Sequence, residues 1–333
     1  MAAAIQARRL NKLFRRRVRA EGMRGLVASY MRPAYETVHA VRDLDLRMEP
    51  GESLALIGPN GAGKSTTIKM LTGIVHPTSG EATVLGIVPW KDRKRLAMNV
   101  GTVFGQRSQL WFHLPAGETF ALLARIYEIP DAEYRARRAD LVRRFALEPL
   151  LGTAVRKLSL GERMRCEIAA SLLHRPRILF LDEPTIGLDV VVKQRIRDLI
   201  LVLNQQEGAT IFLTSHDAGD VEVLCKRAMV INHGEVIFDE RVATLKRDFI
   251  QSKTISLKLA EPWQGIDRTG QDSVPGVQVL KHKGYGVKLQ VDTNIAPIEG
   301  VIGRLLASYS VADINVDHPP MEEIIARIYE SEA

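Results

Sequence analysis

The chain has 333 residues, enough for one large domain and a smaller one. Hydrophobic residues make up 46% of it and charged residues 26%, as in an ordinary globular protein. No apolar run reaches the roughly 18 residues that cross a bilayer, and the first residues lack the apolar core of a secretory signal. Cys166 and Cys225 have neither metal-ligand nor redox-motif spacing, so we expect two free thiols.

The net charge of +7 is concentrated in residues 1–35, which hold nine Lys or Arg residues and one acid. This segment therefore carries +8, and the rest of the chain carries −1. We interpret it as a basic N-terminal arm or insertion that makes peripheral contact with an anionic membrane surface. Contact with nucleic acid and a merely solvated basic loop are the alternatives that the charge leaves open.

From about residue 41 to residue 241, short apolar runs alternate with helical patterns, which predicts an α/β domain with a largely parallel sheet. The runs Ser53–Ile57, Ile178–Leu181 and Thr210–Thr214 are predicted to be buried strands. Between about residues 110 and 158, apolar residues recur at helical spacing, which predicts a helical subdomain.

A glycine-rich loop follows the first of these strands. Its sequence matches G-x-x-x-x-G-K-[ST] and precedes a helical segment, which is the context that a phosphate-binding P-loop requires. The loop's N–H groups and the positive end of the helix would surround the phosphates. We expect Lys64 to reach the β- and γ-phosphates and the Ser65 hydroxyl to bind Mg²⁺. The expected nucleotide contacts of this loop are Gly58, Pro59, Asn60, Gly61, Ala62, Gly63, Lys64, Ser65 and Thr66.

Two acids end the next predicted strand of this group. Asp182 and Glu183 follow the apolar run Ile178–Leu181, and the carboxyl ends of parallel strands are where ligands bind. Adjacent residues on a strand point in opposite directions, so the two carboxylates can have different roles. We expect Asp182 to hold Mg²⁺ through its water shell and Glu183 to act as the general base toward the attacking water.

After about residue 246 the pattern changes. The runs Val277–Leu280 and Val287–Val291 flank a Gly-rich turn, which predicts a hairpin. A helix around residues 298–306, a strand at 312–316 and a last helix after Pro319 and Pro320 follow. We expect residues 246–333 to form a small accessory α+β domain with no catalytic cluster.

Four further segments stand between and beyond the two motifs. Gln106 follows Val103 and Phe104, the segment 158–163 (LSLGER) opens a predicted helix, and 187–189 (GLD) and 214–217 (TSHD) follow the acids. With the P-loop and the acidic strand, they resemble the Q-loop, signature, D-loop and switch-histidine motifs of ABC ATPases in order and spacing. The resemblance spans about residues 41–241. It implies a P-loop NTPase fold of the ABC ATPase type, with a helical subdomain, over residues 36–245.

The resemblance also implies that two such domains face each other head to tail, as a homodimer or a heterodimer with ATP at the interface. Ser159 and the Gly161 N–H of one subunit would contact the γ-phosphate held by the other. Asp189 would help to couple the two sites. Leu160 and Glu162 depart from the family's usual Gly and Gln. We expect activity because the phosphate-binding residues are retained, and the effect of the Glu162 charge on ATP affinity stays open.

The remaining site residues also follow from the resemblance. His216 would contact the γ-phosphate and orient the attacking water, beside the catalytic residues Lys64 and Glu183. Gln106 would contact both ATP and Mg²⁺. In this family an aromatic residue that stacks on adenine precedes the P-loop lysine by about 25–30 residues, which favours Tyr35 here. Phe14 is the alternative, because residues 15–34 look like an insertion.

The amino-acid sequences of the motifs and of the C-terminal segment are similar to those of ATPase subunits of bacterial exporters of drugs, antibiotics and polysaccharides. We therefore expect an ATP-hydrolysing subunit on the cytoplasmic face of the membrane, powering export through separate transmembrane permease subunits. Trp111 and Phe112 are expected either to receive a helix of those subunits or, for Trp111, to belong to the core. An importer subunit is the first alternative. A soluble ABC ATPase acting on nucleic acid is the second, and nucleic acid is not the expected partner.

Overall fold

The computed structural model describes residues 2–17, 35–105, 108–244, 252–265 and 274–317, and the single positions 325 and 328. The chain divides into two compact units, Met1–Asp239 and Glu240–Ala333. The boundary predicted from the sequence lies between residues 245 and 246, slightly later in the chain. Within the described residues, no helix is both long and apolar enough to cross a membrane.

The centre of the first unit is a six-stranded sheet with the order β5-β6-β7-β3-β8-β9. Its strands are β3 (Ser53–Ile57), β5 (Val100–Phe104), β6 (Ile178–Asp182), β7 (Thr210–Ser215), β8 (Arg227–Asn232) and β9 (Glu235–Arg241). β3 pairs in parallel with β7 and β8, and β6 pairs in parallel with β5 and β7. All residues of β3 and β7 are buried, so they have the continuous apolar character of strands covered on both faces. The predicted α/β class and its three buried strands are confirmed.

A second, antiparallel sheet has the order β2-β1-β4, formed by β1 (Ile5–Arg17), β2 (Tyr35–Met48) and β4 (Ser79–Val84). The predicted basic arm is wrong for the residues of β1. Ile5, Ala7 and Leu10 are buried in the core, while Arg8 and Arg9 are exposed. Residues 5–17 therefore form a strand whose apolar side chains face inward, although its arginines give the segment the composition of a basic arm. Residues 18–34 of the predicted arm lie outside the described residues.

Seven helices complete the described part of the first unit: α1 (Lys64–Leu71), α2 (Arg93–Ala97), α3 (Ala116–Ile126), α4 (Asp131–Arg144), α5 (Leu160–Ser171), α6 (Val190–Glu207) and α7 (Ala218–Leu224). Helices α3 and α4 lie in the region predicted to be a helical subdomain. Pro130 is the N-cap of α4, and Asp131 and Glu133 place negative charge in its first turn. Short 3₁₀ turns at Glu148–Leu150 and Val155–Lys157 lead into α5.

The second unit contains a four-stranded antiparallel sheet with the order β11-β12-β10-β13. Its elements are β10 (Ser252–Leu259), β11 (Val277–Lys283), β12 (Gly286–Asp292), α8 (Ile298–Ser308) and β13 (Val311–Asp317). Apolar residues of the sheet and of α8 form its core. The predicted hairpin, helix and strand are confirmed. The predicted last helix lies outside the described residues, apart from the buried Ile325 and Ile328.

Candidate functional site

The P-loop connects the end of β3 to the start of α1, as the sequence predicts. Gly63 adopts φ = 112°, and a Cβ on it would lie 2.3 Å from the carbonyl oxygen of Ala40. At Gly58 an added Cβ would lie 2.4 Å from the carbonyl oxygen of Ile231. Only glycine fits these two positions, because the loop is folded tightly against β2 and β8.

A cavity of about 320 Å³ opens beside this loop. Several predicted nucleotide-binding residues line it together with both acids. Three further lining residues, Lys69, Ile74 and Phe104, were missed by the sequence analysis because they belong to no motif. The complete lining is Asn60, Gly61, Gly63, Lys64, Ser65, Thr66, Lys69, Ile74, Phe104, Asp182 and Glu183.

Lys64 is buried inside the loop, with 5% of its surface exposed. Its Nζ donates hydrogen bonds to the carbonyl oxygens of Gly58 at 2.7 Å and Pro59 at 3.2 Å. The same atom lies 3.4 Å from Oε1 of Glu183. A buried ammonium needs partners of this kind to offset its desolvation. The structure thus joins the P-loop lysine and the predicted general base in one cavity.

Asp182 ends β6 next to the P-loop serine. The Ser65 hydroxyl donates to Oδ1 of Asp182 at 3.0 Å, and the Thr214 hydroxyl donates to the same oxygen at 2.6 Å. A hydroxyl and a carboxylate are hard oxygen donors, which Mg²⁺ prefers. The described residues hold no cluster of three or more metal-binding side chains. Mg²⁺ is commonly bound by one or two carboxylates together with substrate phosphates, and Asp182 would supply such a carboxylate.

Glu183 has the left-handed φ of 54°, an unusual conformation for a residue other than glycine. Its N–H donates to the carbonyl oxygen of Thr214 at 3.0 Å, and its Oε2 lies 3.0 Å from Nδ1 of His216. An ionised carboxylate can only accept, so Nδ1 carries the proton and donates. Backbone strain of this kind is found at functional sites. The structure therefore brings Lys64, Asp182, Glu183 and His216 together.

The signature segment forms the N-terminus of α5, with Ser159 as its N-cap. The Glu162 N–H donates to Oγ of Ser159 at 3.3 Å, while the Ser159 N–H and hydroxyl donate to Oε2 of Glu162 at 2.8 and 2.9 Å. This capping box satisfies the first turn of the helix. The hydrogen bonds from the Ser159 backbone and side chain lower the pKa of Glu162. Glu162 is thus negatively charged at neutral pH. Its carboxylate accepts the one hydrogen bond that the Ser159 hydroxyl can donate.

The other signature positions pack against the D-loop region. A Cβ on Gly161 would lie 2.6 Å from Cγ1 of Val192, and one on Gly187 would lie 3.1 Å from Cδ2 of Leu160. The Leu160 departure is therefore accommodated beside a glycine. Asp189 caps α6 by accepting from the Val192 N–H at 2.9 Å. Ser159, Gly161 and Asp189 do not line the P-loop cavity of their own chain.

Helix α5 is also hydrogen-bonded to Ser108 and Gln109, which follow the predicted Q-loop. Gln106 itself lies outside the described residues. Glu167 is buried and accepts hydrogen bonds from the Ser108 hydroxyl and from the Gln109 N–H, the latter at 3.1 Å. Burial raises the pKa of Glu167. Sequence reasoning missed this residue, because a single Glu within a helix carries no motif signal.

Trp111 and Phe112 follow that segment, and their exposed fractions are 41% and 45%. The alternative that Trp111 belongs to the core is therefore wrong. The guanidinium of Arg163 in α5 lies 5.7 Å from the centre of the Phe112 ring. We call Trp111 and Phe112 the aromatic patch.

The comparisons with known proteins agree with this geometry. The family model described as "ABC transporter" matches residues 41–186. The linearmycin resistance ATP-binding protein LnrL of Bacillus subtilis (strain 168) is 30% identical over 91% of this chain and 97% of its own length. This chain belongs to the ABC transporter ATP-binding proteins. It is an ATP hydrolase subunit of a transporter.

Two further similar proteins are an importer subunit and a cassette of known structure. The methionine import ATP-binding protein MetN 2 of Enterococcus faecalis (strain ATCC 700802 / V583) is 31% identical over 62% of this chain and 60% of its own length. A dimeric, post-hydrolysis structure of the ATP-binding cassette MJ0796 with ADP and Pi is 26% identical, with a TM-score of 0.60. The structural alignment covers 72% of this chain and 98% of the MJ0796 chain.

The strand register changes which aromatic residue is the better candidate for stacking on adenine. β2 passes the P-loop at Ala40, and Tyr35 lies five residues before it, roughly 17 Å along a strand at about 3.4 Å per residue. Phe14 pairs with Val38, only two residues from Ala40. The register places Phe14 nearer to the P-loop than Tyr35, so we predict that Phe14 is the stacking residue. Neither side chain lines the P-loop cavity.

We predict that Phe14→Ala lowers the affinity for ATP about 10- to 100-fold, because base–aromatic stacking contributes about 1–3 kcal/mol. Phe14→Tyr, which keeps the ring, should bind ATP as the unaltered chain does. Titration with a fluorescent ATP analogue measures both. Tyr35→Ala serves as the matched comparison, and a larger loss in Tyr35→Ala than in Phe14→Ala would restore Tyr35 as the stacking residue.

Proposed function

We propose that this ABC ATPase subunit powers export of a substrate from the cytoplasm through separate transmembrane permease subunits. The observation that carries the direction is the alignment with LnrL, a resistance protein, which extends over 91% of this chain. The alignment with the importer subunit MetN 2 covers only 62% of it. An alignment over 91% of the chain must include much of the second unit, Glu240–Ala333. Import remains the second candidate.

The side chains around the cavity support in-line hydrolysis of ATP. Lys64 would bind the β- and γ-phosphates, exchanging the loop carbonyls for phosphate oxygens. Ser65 and Asp182, with the predicted Gln106, would hold Mg²⁺, which neutralises charge on the phosphates when bound. Glu183 would accept a proton from the attacking water. The water oxygen would then form a bond to the γ-phosphorus while the bond from that phosphorus to ADP breaks. His216, donating to Glu183, would orient that carboxylate and the water.

A second ATP-binding subunit would complete the site. Ser159 and Gly161 lie at the N-terminus of a helix, where N–H groups favour an anion, yet they do not line their own cavity. They would close on the γ-phosphate of a partner subunit, with Asp189 between the two sites. The dimeric MJ0796 cassette supports this arrangement. ATP would then bind the closed dimer more tightly than the separate subunits, which drives closure.

The aromatic patch would contact the permease. Two adjacent half-exposed aromatic rings are unusual on a free surface and typical of interfaces. Glu167 connects the segment before the patch to the signature helix, so a permease that moves the patch would also move Ser159. This contact would hold the subunit at the cytoplasmic face of the membrane. The basic residues within 18–34 would add attraction to anionic lipid.

Glu162 would oppose closure of this dimer. The Ser159 hydroxyl must leave the Glu162 carboxylate before it can donate to a γ-phosphate, and the two anions would then lie close together. We predict that Glu162→Gln strengthens ATP-dependent dimerisation about tenfold, because Gln keeps a side-chain acceptor at this helix position without the charge. The measurement is sedimentation in a Glu183→Gln background, which should bind ATP but not turn it over.

Glu118 supplies the matched control, because it occupies the same third position of helix α3 and is exposed. Glu118→Gln should leave the dimerisation constant unchanged. Equal association of the Glu162→Gln and parent chains would show that the carboxylate does not oppose closure.

The export direction is tested in inverted membrane vesicles that contain this chain with its co-purified permease subunits. ATP added outside should drive a fluorescent antibiotic into the vesicle interior, because the cytoplasmic face points outward. Lys64→Ala should abolish this accumulation. ATP-driven emptying of preloaded vesicles would instead establish import.

A further inference from the structure

Thr214 lies on β7 directly beside the end of β6. In the parallel register it pairs with Asp182, and it is completely buried. Its hydroxyl donates to Oδ1 of Asp182 at 2.6 Å and accepts from the Glu183 N–H at 3.2 Å. One buried hydroxyl thus contacts both members of the acidic pair.

The direction of both hydrogen bonds is fixed by chemistry. An ionised carboxylate has no proton to give, so the single hydroxyl proton of Thr214 goes to Asp182. The backbone N–H of Glu183 can only donate, so it uses a lone pair of the same hydroxyl. A side chain without the hydroxyl would lose the bond to Asp182 altogether, while the Glu183 N–H would keep its second acceptor, the Thr214 carbonyl oxygen at 3.0 Å.

Two other buried threonines of this unit bond locally, whereas buried Thr185 donates its hydroxyl to the distant acid Asp220. Thr67 and Thr72 donate to carbonyl oxygens of their own helix, at Gly63 and Ile68. Such local bonds are the ordinary solution for a buried threonine. Thr214 differs from all three because its hydroxyl contacts both acids of the predicted site, and hydrogen bonds to a charge are about twice as strong as neutral ones.

We propose that Thr214 is a positioning residue for the metal-binding carboxylate and the general base. With Ser65, it places two donors on Oδ1 of Asp182. Oδ2 forms no hydrogen bond with any described residue and would face the water shell of Mg²⁺. The Glu183 N–H is shared between this hydroxyl and the Thr214 carbonyl oxygen, so Thr214 supplies both acceptors for the strained backbone of Glu183. This inference rests on the proposed roles of Asp182 and Glu183.

The test compares Thr214→Val, which keeps the shape and removes the hydroxyl, with Thr214→Ser, which keeps the hydroxyl. Both are made in the full chain with Glu183→Gln, so that binding is measured without turnover. The readout is the Mg²⁺ concentration that gives half-maximal binding of a fluorescent ATP analogue. We expect Thr214→Val to raise it about tenfold, since a buried bond to a charged group is lost. Thr214→Ser should stay within about twofold of the parent.

Thr210 provides the control on the same strand. It is buried, and its hydroxyl accepts from the Gly51 N–H at 2.9 Å, at the opposite end of β7. Thr210→Val should leave the Mg²⁺ requirement unchanged, and none of the variants should alter binding of the analogue without Mg²⁺. If Thr214→Val does not fold, Thr214→Ala carries the same comparison.

Two results would overturn the inference: an unchanged Mg²⁺ requirement in Thr214→Val, or an equal increase in Thr210→Val. If binding of the nucleotide analogue by the parent chain does not depend on the Mg²⁺ concentration, the proposed metal site itself is contradicted. The two failures are therefore distinguishable.

Discussion

The parallel pairing of β6 with β7 determines where the reacting groups of this ATPase lie. The register aligns Phe104, Asp182 and Thr214 across three strands, so that the chain leaves each strand at one edge of the sheet. Glu183 and His216 follow directly and meet within hydrogen-bond distance. A shift of one residue between these strands would turn Asp182 away from Ser65. The fully buried apolar residues of β6 and β7 prevent such a shift.

Much of this arrangement could be predicted from the sequence, because its determinants are local. The P-loop needs glycine where the chain passes close to Ala40, and the apolar runs before Asp182 and His216 identify buried strands. The acidic pair then lies at the end of its strand, whereas His216 is identified only through the resemblance to ABC ATPases. Physical reasoning about a parallel sheet places them at one edge, and the structure confirms their convergence.

The remainder depends on contacts between residues that are distant in sequence. β1 looks like a basic arm because its arginines outnumber its inward-facing apolar residues, and only pairing with β2 and β4 identifies it as a strand. The choice between Phe14 and Tyr35 needs the β1–β2 register, which an insertion of uncertain length conceals. Glu167 belongs to no motif, and Thr214 only begins the segment that resembles the switch-histidine motif. The contacts of both residues become clear only when the partners of the Thr214 hydroxyl and of the Glu167 carboxylate are known.

In the proposed dimer, the P-loop cavity is half of a site, and the signature of a second copy completes it. Complementation between two inactive variants tests this claim directly. Lys64→Ala removes the lysine of one chain, and Gly161→Val blocks the signature of another while its P-loop stays intact. Mixed dimers then contain one complete site, so the account predicts that ATP hydrolysis returns on mixing two chains that are each inactive alone. A Gly161→Val chain that hydrolyses ATP alone at the normal rate, or a mixture of two folded variants that stays inactive, would contradict it.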